Sequence, residues 1–185
     1  MKTIDYYMTA GSPWTYLGHA RLETIAKKAG ATIHVKPVDY GVIFPQSGGL
    51  PLPKRAPQRQ AYRFQELKRW RAHLGVELVL QPRHFPVDSG PACHWIAGAP
   101  EAKRMALAGD LLAALWREDK NIADPALLVS IAAKHGVPTP DKAKYEAFTQ
   151  EAVGRSVFGA PTYIYKDEMF WGQDRLEFLE RALQK

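Results

Sequence analysis

Hydrophobic and polar positions change rhythm several times along the chain, and each change marks an element. Residues 3–9, TIDYYMT, are rich in Ile and Tyr and predict a strand over Thr3–Thr9. Gly11-Ser12-Pro13 interrupts it. Ser is a favoured N-cap and Pro a favoured first helical residue. Trp14, Leu17, Leu22, Ile25 and Ala29 then recur at ragged helical spacing up to Gly30. Residues 32–38, TIHVKPV, alternate like a second strand, with Pro37 near its end. Strand, helix and strand in this order predict a parallel pair joined by a right-handed crossover.

The middle of the chain reads differently. Residues 40–57 are full of Gly and Pro and read as a loop. Gln58–Leu74 predicts a helix with Tyr62, Leu67 and Trp70 on its inner side. Residues 78–91, LVLQPRHFPVDSGP, hold three prolines and read as extended or irregular. Helices are predicted over 92–97, 100–117, 124–135 and 141–155, the second carrying Met105, Leu111, Leu112, Leu115 and Trp116 on one face. The end returns to strands, with PTYIY at 161–165, a turn at 166–168 and a return strand at 169–171. Gly172-Gln173-Asp174 leads into a last helix with Leu176, Leu179 and Leu183 inward. A β-α-β half and a β-β-α half sharing one sheet is an α/β, thioredoxin-like plan. Residues 1–56 and 156–185 would form a discontinuous thioredoxin-like domain, and residues 57–155 a large all-helical insertion domain. That insertion would roof the active end of the sheet and leave a cleft suited to a small ligand.

Composition narrows the chemistry. With 185 residues, 46% hydrophobic, five Trp and eight Tyr, the chain can bury a core and is not disordered. A formal net charge of +6 suits an acidic partner. The single cysteine, Cys93, rules out an internal disulfide. With no signal-like apolar N-terminus and no membrane-length apolar run, the expectation is a cytoplasmic protein without a membrane partner. The basic stretch 54–71 interleaves aromatics, but no nucleic-acid module is legible, so its charges read as a solvated face and no nucleic acid is expected. Lys54 and Arg59 are the members that could face the cleft and attract carboxylates. His84 is a candidate proton shuttle. The histidines lack metal-ligand spacing, so no metal is assigned. Cys93 and His94 are adjacent and point apart, a poor geometry for a nucleophilic dyad.

Four segments carry a family resemblance. They are Ser-Pro-Trp-x-Tyr-Leu at 12–17, Tyr62-x-x-x-Glu66-Leu67-x-Arg69-Trp70, His84-Phe85-Pro86, and Val157 to Thr162 followed by Phe170-Trp171-Gly172-Gln173-Asp174-Arg175-Leu176. Nearly end to end, the chain resembles the 2-hydroxychromene-2-carboxylate isomerases, relatives of kappa-class glutathione transferases and of DsbA-type oxidoreductases. The resemblance implies a thioredoxin-like fold with a helical insertion, a homodimer, bound glutathione and a small aromatic carboxylate as substrate. The reaction it implies opens 2-hydroxychromene-2-carboxylate to trans-o-hydroxybenzylidenepyruvate, a step of naphthalene degradation. The chain departs from many members at Asp88, where they carry Asn, and at Arg59, where they carry Lys. Arg meets a carboxylate with a different geometry from Lys, so both departures bear on substrate identity.

Specific roles follow from that resemblance. Ser12 stands where a redox relative has a cysteine; it would hold the glutathione thiolate by a hydrogen bond, aided by the N-terminus of the helix at Pro13. Ala160-Pro161 would be cis, with the Ala160 backbone pairing to the cysteinyl backbone of the tripeptide. Trp171, Gly172, Gln173 and Asp174 would hold the γ-glutamyl end, with Asp174 taking the ammonium or serving only as a helix cap. Lys54, Arg59 and His84 would face the substrate. Two other readings share the fold: a kappa-class-like transferase or peroxidase that consumes glutathione, and a non-catalytic binding module. A dithiol oxidoreductase is excluded by the missing second cysteine.

Overall fold

Alternation along the first strand decides the layering. In the computed structural model, which describes all 185 residues, β1 spans Lys2–Met8. Ile4, Tyr6 and Met8 are fully buried in one hydrophobic cluster, whereas Tyr7 belongs to a second cluster with Val38, Ile43, Ala152 and Val157. Successive side chains of a strand point to opposite faces, so β1 is covered on both sides. β1 pairs in parallel with β2 (Ala31–Pro37) and antiparallel with β3 (Thr162–Tyr165). β3 pairs antiparallel with β4 (Glu168–Trp171), giving the order β2-β1-β3-β4. Lys166 and Asp167 close the β3–β4 hairpin with φ of 49° and 64°, the left-handed pair that a two-residue turn between twisted strands favours.

Helix α1 (Pro13–Ala29) starts where its sequence says it should. The Ser12 side chain accepts from the Thr15 N–H at 3.2 Å, and Gly30 ends the helix at φ 63°. Further helices are α2 (Tyr40–Ser47), α3 (Pro57–Leu74), α4 (Gly90–Gly98), α5 (Glu101–Trp116), α6 (Pro125–Lys134), α7 (Lys142–Gly154) and α8 (Leu176–Leu183). On the inner face of α8, Leu176, Leu179 and Leu183 are all fully buried. α1 packs between α5 and α8, so the helical block and the sheet share one core that runs from Ile4 through Leu22 to Leu111 and Trp116. None of the helices is long and apolar enough to cross a membrane.

Two sequence expectations need correction here. Residues 40–57 are not a loop throughout: Asp39 caps α2 by accepting from the Gly41 N–H at 2.7 Å, and a single 3-10 turn covers Leu52–Lys54. Pro45 sits inside α2 and removes one donor, which keeps the helix short. The inner side of α3 is also rotated from the expected one. Tyr62 is 56% exposed, while its neighbour Arg63 is 8% exposed and Leu67 fully buried. Positions 63, 67 and 70 follow the i, i+4, i+7 stripe of a helix, and the sequence places a cation at the first of them.

Candidate active site

The segments leaving β1 and β2 and those entering β3 and leaving β4 meet α3 across a two-lobed cleft. One lobe, about 610 Å³, is bordered by Ser12, Tyr40, Phe44, Phe85 and Phe158. The other, about 560 Å³, is bordered by Tyr62, Trp70 and the run Gly172 to Arg175. Trp14, Arg55, Arg59, Arg63, Ala160 and Trp171 border both. The lobe around Ser12 therefore carries three guanidinium groups and no carboxylate.

Ser12 does two things at one atom. Its oxygen accepts the third helical N–H, which leaves its own O–H proton with no acceptor in the chain. The Trp14 N–H, one residue earlier in the first turn, makes no hydrogen bond within the chain either. Pro13 has no N–H to offer. The start of α1 thus presents one hydroxyl proton and one amide proton near the positive end of a 17-residue helix.

The Ala160–Pro161 peptide is cis. Neither the N–H nor the C=O of Ala160 is used within the chain, whereas the Pro161 carbonyl accepts from the Gly172 N–H at 2.8 Å. The adjoining Gly159 carbonyl accepts from the Tyr40 hydroxyl at 2.7 Å and from the Thr162 hydroxyl at 2.6 Å, which pins this segment in place. Trp171 forms the rim, half exposed and packed edge-on against Phe158 at 4.8 Å. A side chain at Gly159 would come within 2.2 Å of the Trp171 indole nitrogen, so only glycine fits beneath that ring.

Gly172 takes φ 102° and opens a short 3-10 turn, Gln173–Arg175, that continues into α8. The N–H groups of Gln173 and Asp174 precede its first internal bond, from the Arg175 N–H to the Gly172 carbonyl at 3.1 Å. The Gln173 side chain is committed elsewhere, its oxygen accepting from Arg21 at 2.7 Å. Asp174 is loosely paired with Arg175 at 3.5 Å.

Most of the residues expected from the sequence meet here: Ser12, Arg59, Ala160, Trp171, Gly172, Gln173 and Asp174 all border the cleft. Three do not. Pro161 is buried behind it and acts through the carbonyl that anchors Gly172. Lys54 ends the 3-10 turn with its side chain in solvent, and the cation facing inward is its neighbour Arg55. His84 is exposed, and it is the next residue, Phe85, that borders the Ser12 lobe. Arg55 and Arg63 were missed because a basic run beside aromatics reads as a solvated face. For Arg63 the available signal was its place one helical turn from both Arg59 and Leu67; Arg55 precedes α3 in extended backbone and gave none.

Thiol exchange within the chain is excluded by geometry as well as by count. Cys93 is fully buried, and burial pushes its thiol up to about 11. A group held so far toward the neutral thiol is a poor nucleophile at neutral pH.

The fold and this cleft define a thioredoxin-type protein with a serine at the head of the first helix. Residues 3–184 match the DSBA-like thioredoxin domain, and the chain belongs to that family. It is 28% identical over 193 residues to a 2-hydroxychromene-2-carboxylate isomerase of Sphingobium xenophagum, covering 98% of both chains. It is 29% identical to one of Pseudomonas putida, covering 97% of this chain and 93% of that one. A solved 2-hydroxychromene-2-carboxylate isomerase superposes with a TM-score of 0.81 at 28% identity, over 98% of this chain and 94% of the other.

Proposed function

We propose that the protein is a glutathione-dependent isomerase of 2-hydroxychromene-2-carboxylate-type aromatic carboxylates. The observation that carries the reading is the Ser12 lobe itself, where free O–H and N–H donors stand beside three arginines and no acid. Relatives named for this isomerisation match over almost the whole chain.

The residues fit the cofactor. Ala160 offers an unused donor and acceptor on one residue, the arrangement that takes up an extended peptide as an added strand. The N–H groups of Gln173 and Asp174 suit a γ-glutamyl carboxylate, and the Asp174 carboxylate suits the adjacent ammonium. Trp171 supplies an apolar wall between them. Bound there, glutathione would supply a thiolate nucleophile.

The protein's own share of the chemistry is electrostatic. The Ser12 O–H, the Trp14 N–H and the end of α1 favour an anion at one point. A hydrogen bond to a charged group contributes about 1.5–3 kcal/mol, and a two-unit drop in a thiol pKa corresponds to about 2.7 kcal/mol. Ser12 and its neighbours thus suffice to hold a thiolate at neutral pH. Arg59 attracts the substrate carboxylate, and Phe44 and Phe85 provide apolar surface for an aromatic ring. No histidine or carboxylate borders this lobe, and the Tyr40 hydroxyl is committed to the Gly159 carbonyl, so proton movement falls to Ser12 and solvent.

The test is calorimetric titration of glutathione into wild type and Ser12→Ala, followed by ultraviolet monitoring of 2-hydroxychromene-2-carboxylate with sub-stoichiometric glutathione. Binding with turnover, and total glutathione constant at the end, is the expected result. Consumption of glutathione would make the protein a transferase. Absence of binding would overturn the cofactor and leave a non-catalytic module.

A further inference from the structure

Arg63 is the one cation of the cleft that the fold has buried without a partner. It is 8% exposed, and no hydrogen bond or ion pair within the chain uses any of its donors. Its Nη2 atom is fully enclosed and lacks an acceptor. The contacts it does make are to ring faces, 5.2 Å from the Phe85 centroid and 5.8 Å from that of Phe64. Phe85 is itself held against Trp116 at 5.0 Å, so the wall behind the guanidinium is fixed.

A guanidinium carries five donors in a planar fork, and burial normally requires that they be met. Elsewhere in this chain they are: Arg104, equally buried, donates to the Ala99 carbonyl at 3.0 Å. Arg63 instead borders both lobes of the cleft beside Arg55 and Arg59. Arg55 is already engaged, donating to the Leu50 carbonyl at 2.8 Å. Burial, and then repulsion from Arg55, lower the Arg63 pKa to about 10, which still leaves it charged at neutral pH. A charged guanidinium without an acceptor, bordering a lobe of the cleft that holds no carboxylate, is a site shaped for an anion from outside.

Building on the isomerase reading, we infer that Arg63, backed by Arg55, is a carboxylate anchor in the roof of the cleft. The carboxylate it takes comes from the aromatic substrate, with the ring lying along Phe85; the free carboxylates of glutathione are the other source of the same chemistry. A carboxylate in the cleft would satisfy those donors of the guanidinium that border it. The anchor sets specificity: an acid is accepted and its neutral isostere is not, because only the acid relieves the unpaired charge.

The experiment needs no turnover. Salicylate and its neutral analogue salicylamide are titrated against tryptophan fluorescence in wild type, Arg63→Met and Arg63→Gln, without glutathione. Glutathione is titrated separately by calorimetry. Wild type should bind salicylate at least about tenfold more tightly than salicylamide. Both variants should lose that preference while keeping salicylamide and glutathione affinity within about threefold. If the variants weaken glutathione tenfold and spare salicylate, the anchor stands and its carboxylate belongs to glutathione. If they leave both ligands unchanged, or if wild type does not distinguish the acid from the amide, the anchor is overturned. A wild type that discriminates salicylate yet binds no glutathione sinks the isomerase reading and not the anchor. Circular dichroism and thermal melting confirm that the variants are folded; removing an unpaired buried charge should leave their midpoints at or above that of wild type.

Discussion

Two clusters of partly buried charge lie in this protein, and they are treated in opposite ways. On the α7-facing side of the sheet, Lys36 donates to Asp5 at 2.8 Å and to Glu151 at 2.6 Å. Arg155 also bonds to Asp5, and reaches Asp167 at 3.3 Å; the Tyr7 hydroxyl donates to Glu151 at 2.5 Å. Cations and carboxylates there share one network. In the cleft, Arg59 and Arg63 have no acidic partner at all, and Arg55 has only a carbonyl. The first cluster ties β1, β2 and α7 together. The second leaves its cations unpaired at a cost in stability, an arrangement that recurs at binding sites.

Breaking the paired cluster should produce the largest effect. Lys36→Met leaves Asp5 and Glu151 facing each other without their shared cation, and the loss should be about 3 kcal/mol. For a chain of this length that is a fall of roughly 6–12 °C in melting temperature, read by calorimetry. Glutathione affinity should be unchanged, because the network borders neither lobe of the cleft.

Ser12→Ala comes next and acts on both ledgers. Isomerase kcat/KM should drop by about 1.5–3 kcal/mol, roughly 10- to 150-fold, through the lost donor. Stability should fall by about 1 kcal/mol through the lost cap. Arg63→Met sharpens the contrast because its sign is reversed: a gain of about 1 kcal/mol, or 2–4 °C, in the ligand-free protein. A fall instead would mean that Arg63 belongs with the paired network in kind.

The smallest effect is on the acid limb of stability. Burial raises the Asp5 carboxyl, but hydrogen bonds and charge from Lys36 and Arg155 pull it further down, to a net position below its ordinary 3.8. A carboxyl lowered by folding contributes stability above its unfolded pKa and loses it as pH falls through the folded one. Asp5→Asn should therefore flatten the decline in stability below about pH 4 and be insensitive to pH above it.

The backbone of this comparison was largely readable from the chain. The cap at Ser12, the stop at Gly30, the β3–β4 hairpin (its turn one residue shorter than the expected 166–168) and the leucine stripe of α8 all follow from local rules that the fold respects. Helix α2 escaped because Gly41 and Pro45 lie within its eight residues and Gly48 follows them, while the capping bond of Asp39 that starts it is a single side-chain contact. The candidate site was legible where backbone geometry brings residues to the cleft, at 12 and at 160–174. It was not where tertiary packing decides. Arg63 shares the 63, 67, 70 stripe with Leu67 and Trp70, but that a cation rather than Tyr62 turns inward depends on Phe85, supplied by a distant irregular segment. Lys54 and His84 each lie one residue from a residue that borders the cavity, Arg55 and Phe85.

The enclosed Cys93 has a practical consequence for spectroscopy. The native surface presents no thiol, so any cysteine introduced there becomes the sole target for a maleimide dye or a spin label. Position 84, exposed and next to Phe85, would set such a reporter one residue from the ring behind Arg63 without entering the cavity. Ligand arrival at the roof could then be followed in real time on the wild-type cleft, with every residue that lines it intact.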